Sequence, residues 1–463
     1  MSLMFGDFCR RLAVLLVLLG VGGRAWDARA AFWVTGYYPG YEQQFNLPAS
    51  DIDFGALTHI IHFSAIPNAN GTLNTGDNYL TPANSTSLVT LAHAAGVKAL
   101  VCVGGAGSEN AFLSAVSNNL PVLINSLTNF VVARGYDGVD IDWEPCPTKD
   151  FLFYTNLVAG LRAALNNLGP AKLLTVAAGA YPPYGDPPTA EFKMYAAVQN
   201  QLDQINIMTY DLSGAYEGWV TWFNSPVFDG NYHFPGTSEL VPSINVAMGN
   251  FLNNGVAPGK IAISMAFYGD IWTDGTGASA SSITQPRQSW INVPTVTAVR
   301  YTDIMTGYYQ SNLYQWDSNA QAAYLGITNT AATNNVFLSY DDPRACQAKV
   351  SFARNNGLGG VMIWELGQDH TAGAPDPLLQ AVKQALATPG PSTLQKSGND
   401  LAVAFKTIPL GSYAVQWSSN LTRGTWNTLR TTNISGPGGI LQIKDVGVIT
   451  NQSGRYYRIQ TPP

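Results

Sequence analysis

Asp140, Asp142 and Glu144 alternate along an apolar, β-branched run, Tyr136-Asp137-Gly138-Val139-Asp140-Ile141-Asp142-Trp143-Glu144. Alternation is the period of a strand, so the three carboxyls project from one face, with neighbours roughly 6–7 Å apart. Carboxylates that close cannot all ionise cheaply outside bulk water, and at least one is expected to keep its proton near neutral pH. A protonated carboxylic acid beside ionised ones is the equipment of a general acid, and glycoside hydrolysis uses it. Two other readings compete. The acids could ligate a divalent cation through oxygen, or they could form a solvated strand face. Val139, Ile141 and Trp143 make the opposite face apolar, which points to packing on both sides and puts acid catalysis ahead.

The elements that must position these acids are short apolar runs alternating with helix-length segments. The runs are 32–38, 57–64, 99–104, 138–144, 173–180, 204–210, 261–268 and 360–364, with helices expected over stretches such as 150–168 and 241–253. Eight strands so separated predict an α/β fold, a (β/α)8 TIM barrel. Such barrels carry catalysis at the carboxyl ends of their strands, and Glu144 ends the fourth run. Residues 270–341 are too long for one crossover and are rich in Tyr and Trp, so they are expected to form an inserted α+β subdomain walling a cleft.

The expected organisation is a secretory signal at 1–30, the barrel at 31–388, a Pro/Gly/Ser/Thr linker at 389–396 and a small all-β sandwich at 397–463. The signal rests on Arg10 and Arg11 before the apolar run 12–21, and on Ala28-Arg29-Ala30 as a cleavage site. Its removal leaves 20 basic and 28 acidic residues, a net charge of −8. That balance gives no support to nucleic acid or anionic membrane as partner, and it suits a neutral polysaccharide. Cys102, Cys146 and Cys346 remain, an odd number with no zinc spacing, and are expected to be buried free thiols. In the last segment Trp417, Trp426, Tyr456 and Tyr457 are expected to be sandwich core rather than a sugar-stacking face.

Other strand ends carry compatible residues. The sixth run ends Met208-Thr209-Tyr210-Asp211, the eighth ends Met362-Ile363-Trp364-Glu365, and the third ends Cys102-Val103-Gly104-Gly105 before Ala106. The first contains Tyr37, and the second contains Phe63.

With D-G-x-D-x-D-x-E at 137–144, these residues resemble glycoside hydrolase family 18, the chitinases and their relatives, over about 32–388. The C-terminal segment resembles the immunoglobulin-like modules of secreted hydrolases. The family resemblance implies a secreted chitinase that cleaves β-1,4 links between N-acetylglucosamine units by substrate-assisted retention. Alternatives are an endo-β-N-acetylglucosaminidase on glycoprotein glycans or a silent chitin-binding lectin.

By the same resemblance Glu144 is the acid and base. Asp142 accepts the substrate acetamide N–H, and Asp140 shares a proton with Asp142. Tyr210 bonds the acetamide oxygen, while Asp211 and Met208 fix and line the sugar site. Trp364 is its floor, and Tyr37 supports Asp140. Phe63, Gly105, Ala106 and Tyr216 join the binding surface, and Asp137 and Cys102 are structural support. Cys102 replaces the serine common in the family, and its thiol is a poorer donor. Ala106 replaces a frequent tryptophan. No metal and no cofactor are implied. The expected partner is chitin or its oligosaccharides, met by a monomer outside the cell, in the periplasm or on the cell surface.

Overall fold

The computed structural model describes residues 32–169, 172–277, 283–329, 335–386, 391–406, 412–420, 425–433, 440–448 and 455–460. The proposed signal at 1–30 lies outside the described residues.

Eight parallel strands form the central sheet: β1 (Trp33–Pro39), β2 (His59–Pro67), β3 (Lys98–Gly105), β4 (Gly138–Trp143), β5 (Leu173–Gly179), β6 (Gln204–Met208), β7 (Ile261–Ala266) and β8 (Gly360–Trp364). They pair in sequence order, and β1 also pairs with β8, so the sheet closes into a barrel. At this seam Trp33 lies opposite Gly360, and a Cβ on Gly359 or Gly360 would collide with the Trp33 indole. The strands are apolar because both faces are covered, by barrel interior and by helices. β4 is buried at every position.

Helices return the chain after most strands, and their limits follow local chemistry. Thr81 caps the helix Pro82–Ala94 and Ser243 caps Ile244–Asn253. Asp342 caps Pro343–Asn355, whose first residue is a proline suited to a helix start. The long helix Glu109–Arg134 is broken at Asn119, two residues before Pro121.

The connection from β7 to β8 carries a five-stranded antiparallel sheet ordered 295–300, 268–273, 336–340, 322–327, 314–317, with a short helix at Tyr301–Gly307. Its first strand begins at Tyr268, two residues before the predicted boundary. Trp272 and Phe337 from this sheet pack with Val220, Trp222, Phe223 and Val241, so the irregular chain after β6 shares its core.

Two three-stranded antiparallel sheets follow. Val403, Phe405 and Ile443 of one meet Tyr413 and Val415 of the other in a common core. The first strand runs Pro391–Ser397. Residues 391–396, predicted as linker, are therefore strand, because Asp400–Lys406 offers them a partner; 389–390 lie outside the described residues. The four aromatics expected as core divide. Tyr457 packs against the core and Arg455 covers the Trp417 ring, whereas Arg458 covers Trp426 and Tyr456 is 39% exposed.

Candidate active site

β4 delivers its acids as the period-two pattern requires. Asp140 is fully buried, Asp142 almost so, and Glu144 follows the strand end half-buried. The backbone there is clamped from the β3 side. Ser108 Oγ donates to the Asp142 carbonyl at 3.1 Å and accepts from the Glu144 N–H at 3.1 Å, and the Glu109 N–H donates to the Glu144 carbonyl. Gly104 and Gly105 adopt φ of 109° and 119°. A Cβ on Gly104 would sit 2.0 Å from the Asp142 carbonyl oxygen, and one on Gly105 would meet the Phe63 ring at 2.7 Å. Only glycine lets β3 approach β4 and the ring so closely.

Asp140 is held by hydroxyls. Tyr37 donates at 2.8 Å to one oxygen and Thr175 at 2.5 Å to the other. Cys102 lies opposite Asp140 in register and adds a weak thiol bond. Burial pushes Asp140 up to about 6, against the lowering effect of these donors. Asp142 is raised well above the carboxylate range, by burial first, then by Glu144 and Asp140. Glu144 is also raised by burial, with Asp142 opposing and Asp211 adding. Asp142 Oδ1 is buried without a hydrogen-bond partner.

Asp137, at the opposite end of the run, accepts from Lys98 at 3.0 Å and the Ala99 N–H at 2.9 Å, and pairs with His93 at 2.8 Å. It ties the start of β4 to β3 and faces away from the other acids.

Around the mouth, Trp364 lies with its ring centroid 4.9 Å from Phe63 and 5.7 Å from Tyr37. Tyr210 is half-buried, and burial beside Glu144 and Asp142 keeps its hydroxyl protonated, hence a donor. Asp211 takes φ 53° and accepts from the Tyr268 hydroxyl at 2.5 Å, while its N–H donates to Asn224 at 2.7 Å. Part of Asp211 is open to solvent, yet desolvation raises it. Tyr216 is 61% exposed and rests edge-on against Trp219. Ala106 and Met208 line a pocket of about 310 Å³ beside Glu144.

The three cysteines are free and buried. Among the described residues no three His, Cys, Asp or Glu side chains form a metal-holding group, and no helix is long and apolar enough to cross a membrane. Thr175 is absent from the sequence-derived site. Its signal was its parity in the fifth run, inward with Ala177 and Gly179.

A closed parallel barrel with a cluster of buried carboxyls at the carboxyl end of its fourth strand has the architecture of a retaining or inverting glycoside hydrolase. The profile of glycosyl hydrolases family 18 matches residues 34–369, most of the chain, and the protein belongs to that family. It is a glycoside hydrolase. It is 32% identical over 298 residues to chitinase A1 of Niallia circulans, covering 59% of this chain and only 41% of that relative. Nod factor hydrolase protein 1 of Medicago truncatula is 28% identical over 340 residues, 70% of this chain and 83% of the relative. A family 18 N-acetylglucosaminidase structure from Paenibacillus barengoltzii superposes with TM-score 0.62 at 26% identity, covering 77% of this chain and all of that one.

Proposed function

We propose that this protein hydrolyses β-1,4 bonds between N-acetylglucosamine units by substrate-assisted retention. The observation that carries the reading is Asp142 Oδ1, buried and unpaired between two carboxyls that are both raised. An acetamide N–H of the bound sugar supplies the missing partner. The relatives named as a chitinase, a Nod factor hydrolase and an N-acetylglucosaminidase support the substrate class.

In the first step Glu144 gives its proton to the glycosidic oxygen and the bond to the anomeric carbon breaks. The acetamide carbonyl oxygen of the same sugar bonds that carbon and forms an oxazolinium ion. Asp142 accepts the acetamide N–H, and its own proton passes to Asp140, so negative charge rests beside the cation. Tyr210 donates to the acetamide oxygen, and Trp364 carries the apolar face of the ring. Water then adds to the anomeric carbon as its bond to the acetamide oxygen breaks; the water yields a proton to Glu144, and Asp140 returns its proton to Asp142, which restores both acids. No separate nucleophilic carboxylate is required.

We further propose that the protein is secreted after cleavage at Ala30 and acts as a monomer. N-terminal sequencing and light scattering of protein from the medium test those points. The central test compares wild type with Glu144→Gln on a fluorogenic N-acetylglucosamine oligosaccharide, with and without chelator. Release by wild type that ignores chelator, lost in the variant while sugar binding persists, supports the reading. Binding without release by wild type overturns it in favour of a lectin or another glycan.

A further inference from the structure

β6 ends at Met208, and its ladder with β7 covers only Ile205 and Asn206. Tyr210 therefore stands beyond the strand, and contacts other than strand pairing must fix it. Two adjacent residues of the irregular chain after β6 supply them. Ser225 Oγ donates to the Thr209 carbonyl at 2.5 Å. The Asn224 side-chain oxygen accepts from the Asp211 N–H at 2.7 Å, and the Asn224 carbonyl accepts from the Leu212 N–H at 2.9 Å. The Thr209 carbonyl and the Asp211 N–H belong to the two peptide units that flank the Tyr210 Cα. Asn224 and Ser225 thus grip the backbone on both sides of Tyr210.

Each half of the grip is held in turn by the chain that leads into β8. The Asn224 N–H donates to Ser339 Oγ at 2.9 Å. Lys349, on the helix Pro343–Asn355, donates from Nζ to Ser225 Oγ at 2.5 Å and to Asp341. The same Asp341 oxygen accepts from the Ala266 N–H at the end of β7. An ammonium group can only donate, so Ser225 Oγ accepts from it and keeps its single hydrogen for Thr209. Lys349 is fully buried, and Thr209, Asn224, Ser225 and Asp341 are at most 5% exposed. Burial raises the Asp341 carboxyl and Lys349 opposes that rise, so the two are counter-ions. Taking an ammonium out of water is costly, and apolar side chains of similar volume often stabilise as well as a buried ion pair does. What the charge adds here is a fixed direction for the Ser225 hydroxyl.

Resting on the reading of Tyr210 given above, we infer that Asn224, Ser225 and Lys349 are positioning residues that aim the Tyr210 hydroxyl at the acetamide oxygen of the substrate. All three are buried and act through Tyr210. Trp222 and Phe223, which precede the gripping pair, are rooted in the core of the antiparallel sheet, and Ser339 belongs to a strand of that sheet. The insertion thereby supplies the frame on which Tyr210 is mounted.

The test is a double-mutant cycle on N-acetylchitotetraose, with kcat and KM measured for each full-length protein. Ser225→Ala removes the bond to Thr209 and leaves the ion pair in place. It should lower kcat about tenfold with KM within about threefold, because a misplaced donor is missed mainly as the acetamide oxygen attacks. Lys349→Met should lower kcat at least as much. Tyr210→Phe removes the donor itself and should cost about 10²-fold in kcat. In the Tyr210→Phe background Ser225→Ala should change kcat less than about twofold, since the hydroxyl it aims is already gone. A merely structural role would make the two losses multiply in the double variant, and that result overturns the inference. So does an unchanged kcat in Ser225→Ala. If Lys349→Met does not fold by circular dichroism, the Ser225→Ala cycle decides. Full activity in Tyr210→Phe would instead overturn the role of Tyr210 in the proposed mechanism, and failure of wild type to cleave would overturn the chitinase reading; this inference falls with either.

Discussion

The two ends of β4 treat the same side chain in opposite ways. At the start Asp137 meets His93, Lys98 and a backbone N–H, and its pKa is lowered. Three residues on, Asp140 meets only neutral donors and is raised to about 6, and Asp142 meets two more acids. A carboxyl that anchors structure is given cations and backbone donors. A carboxyl that exchanges a proton in the proposed mechanism is given burial, hydroxyls and its own kind. Four acids within eight residues thus divide by their neighbours.

The sharpest way to break the contrast is Glu144→Gln. It keeps the shape and removes the exchangeable proton, so kcat should fall about 10²–10⁴-fold while oligosaccharide binding persists, read by single-turnover release and calorimetry. Chelator should leave the wild-type rate unchanged. Asp142→Asn comes next, with a loss of about 10²–10³-fold in kcat and a smaller change in KM, since in the proposed mechanism Asp142 stabilises charge that develops during the reaction. The hydroxyls come third. Thr175→Val and Tyr37→Phe remove donors that favour ionised Asp140, so its pKa rises further. The acidic limb of the pH–rate profile should then move to higher pH, with about tenfold lower activity near pH 5. A limb that stays in place refutes the hydroxyls' tuning role.

Asp137→Ala tests the other end. It should cost about 1–3 kcal/mol of stability through its lost hydrogen bonds, measured by denaturant unfolding, and leave the shape of the pH–rate profile unaltered. Asp137 is lowered in the folded state, so its stabilisation is present above the unfolded pKa and disappears as pH falls through the folded one. The raised acids act with opposite sign. Asp140 at about 6, Glu365 and Asp369 at about 7, and Glu191 and Asp270 at about 8 favour the fold while protonated. That contribution is lost as pH rises from the ordinary carboxylate range through these values, so Tm should decline from about pH 4 to 8. A Tm that climbs over this window would contradict their burial.

The barrel and its acids were legible because both are written in local periods. Apolar runs marked the strands, and alternation put Asp140, Asp142 and Glu144 on one face. Thr175 was hidden because one inward threonine in the fifth run means nothing until register sets it against Asp140. Ser108 was hidden because its bonds reach backbone atoms 34 and 36 residues away. The strand at 391–397 was mistaken for linker because Pro, Ser and Thr are turn formers by composition, and its pairing comes from residues 400–406.

The closing seam imposes an order in time. β1 can pair early with β2, whose residues follow closely, but Trp33 waits for Gly360, made about 330 residues later. At roughly 5–20 residues per second, that is an interval of about 16–65 s during synthesis. For all of it one edge of β1 and the indole that will cover the seam lack their cover. Closing the ring is therefore among the last events of biogenesis, and a chain stalled before residue 360 presents an open strand edge for chaperones or for another chain to occupy.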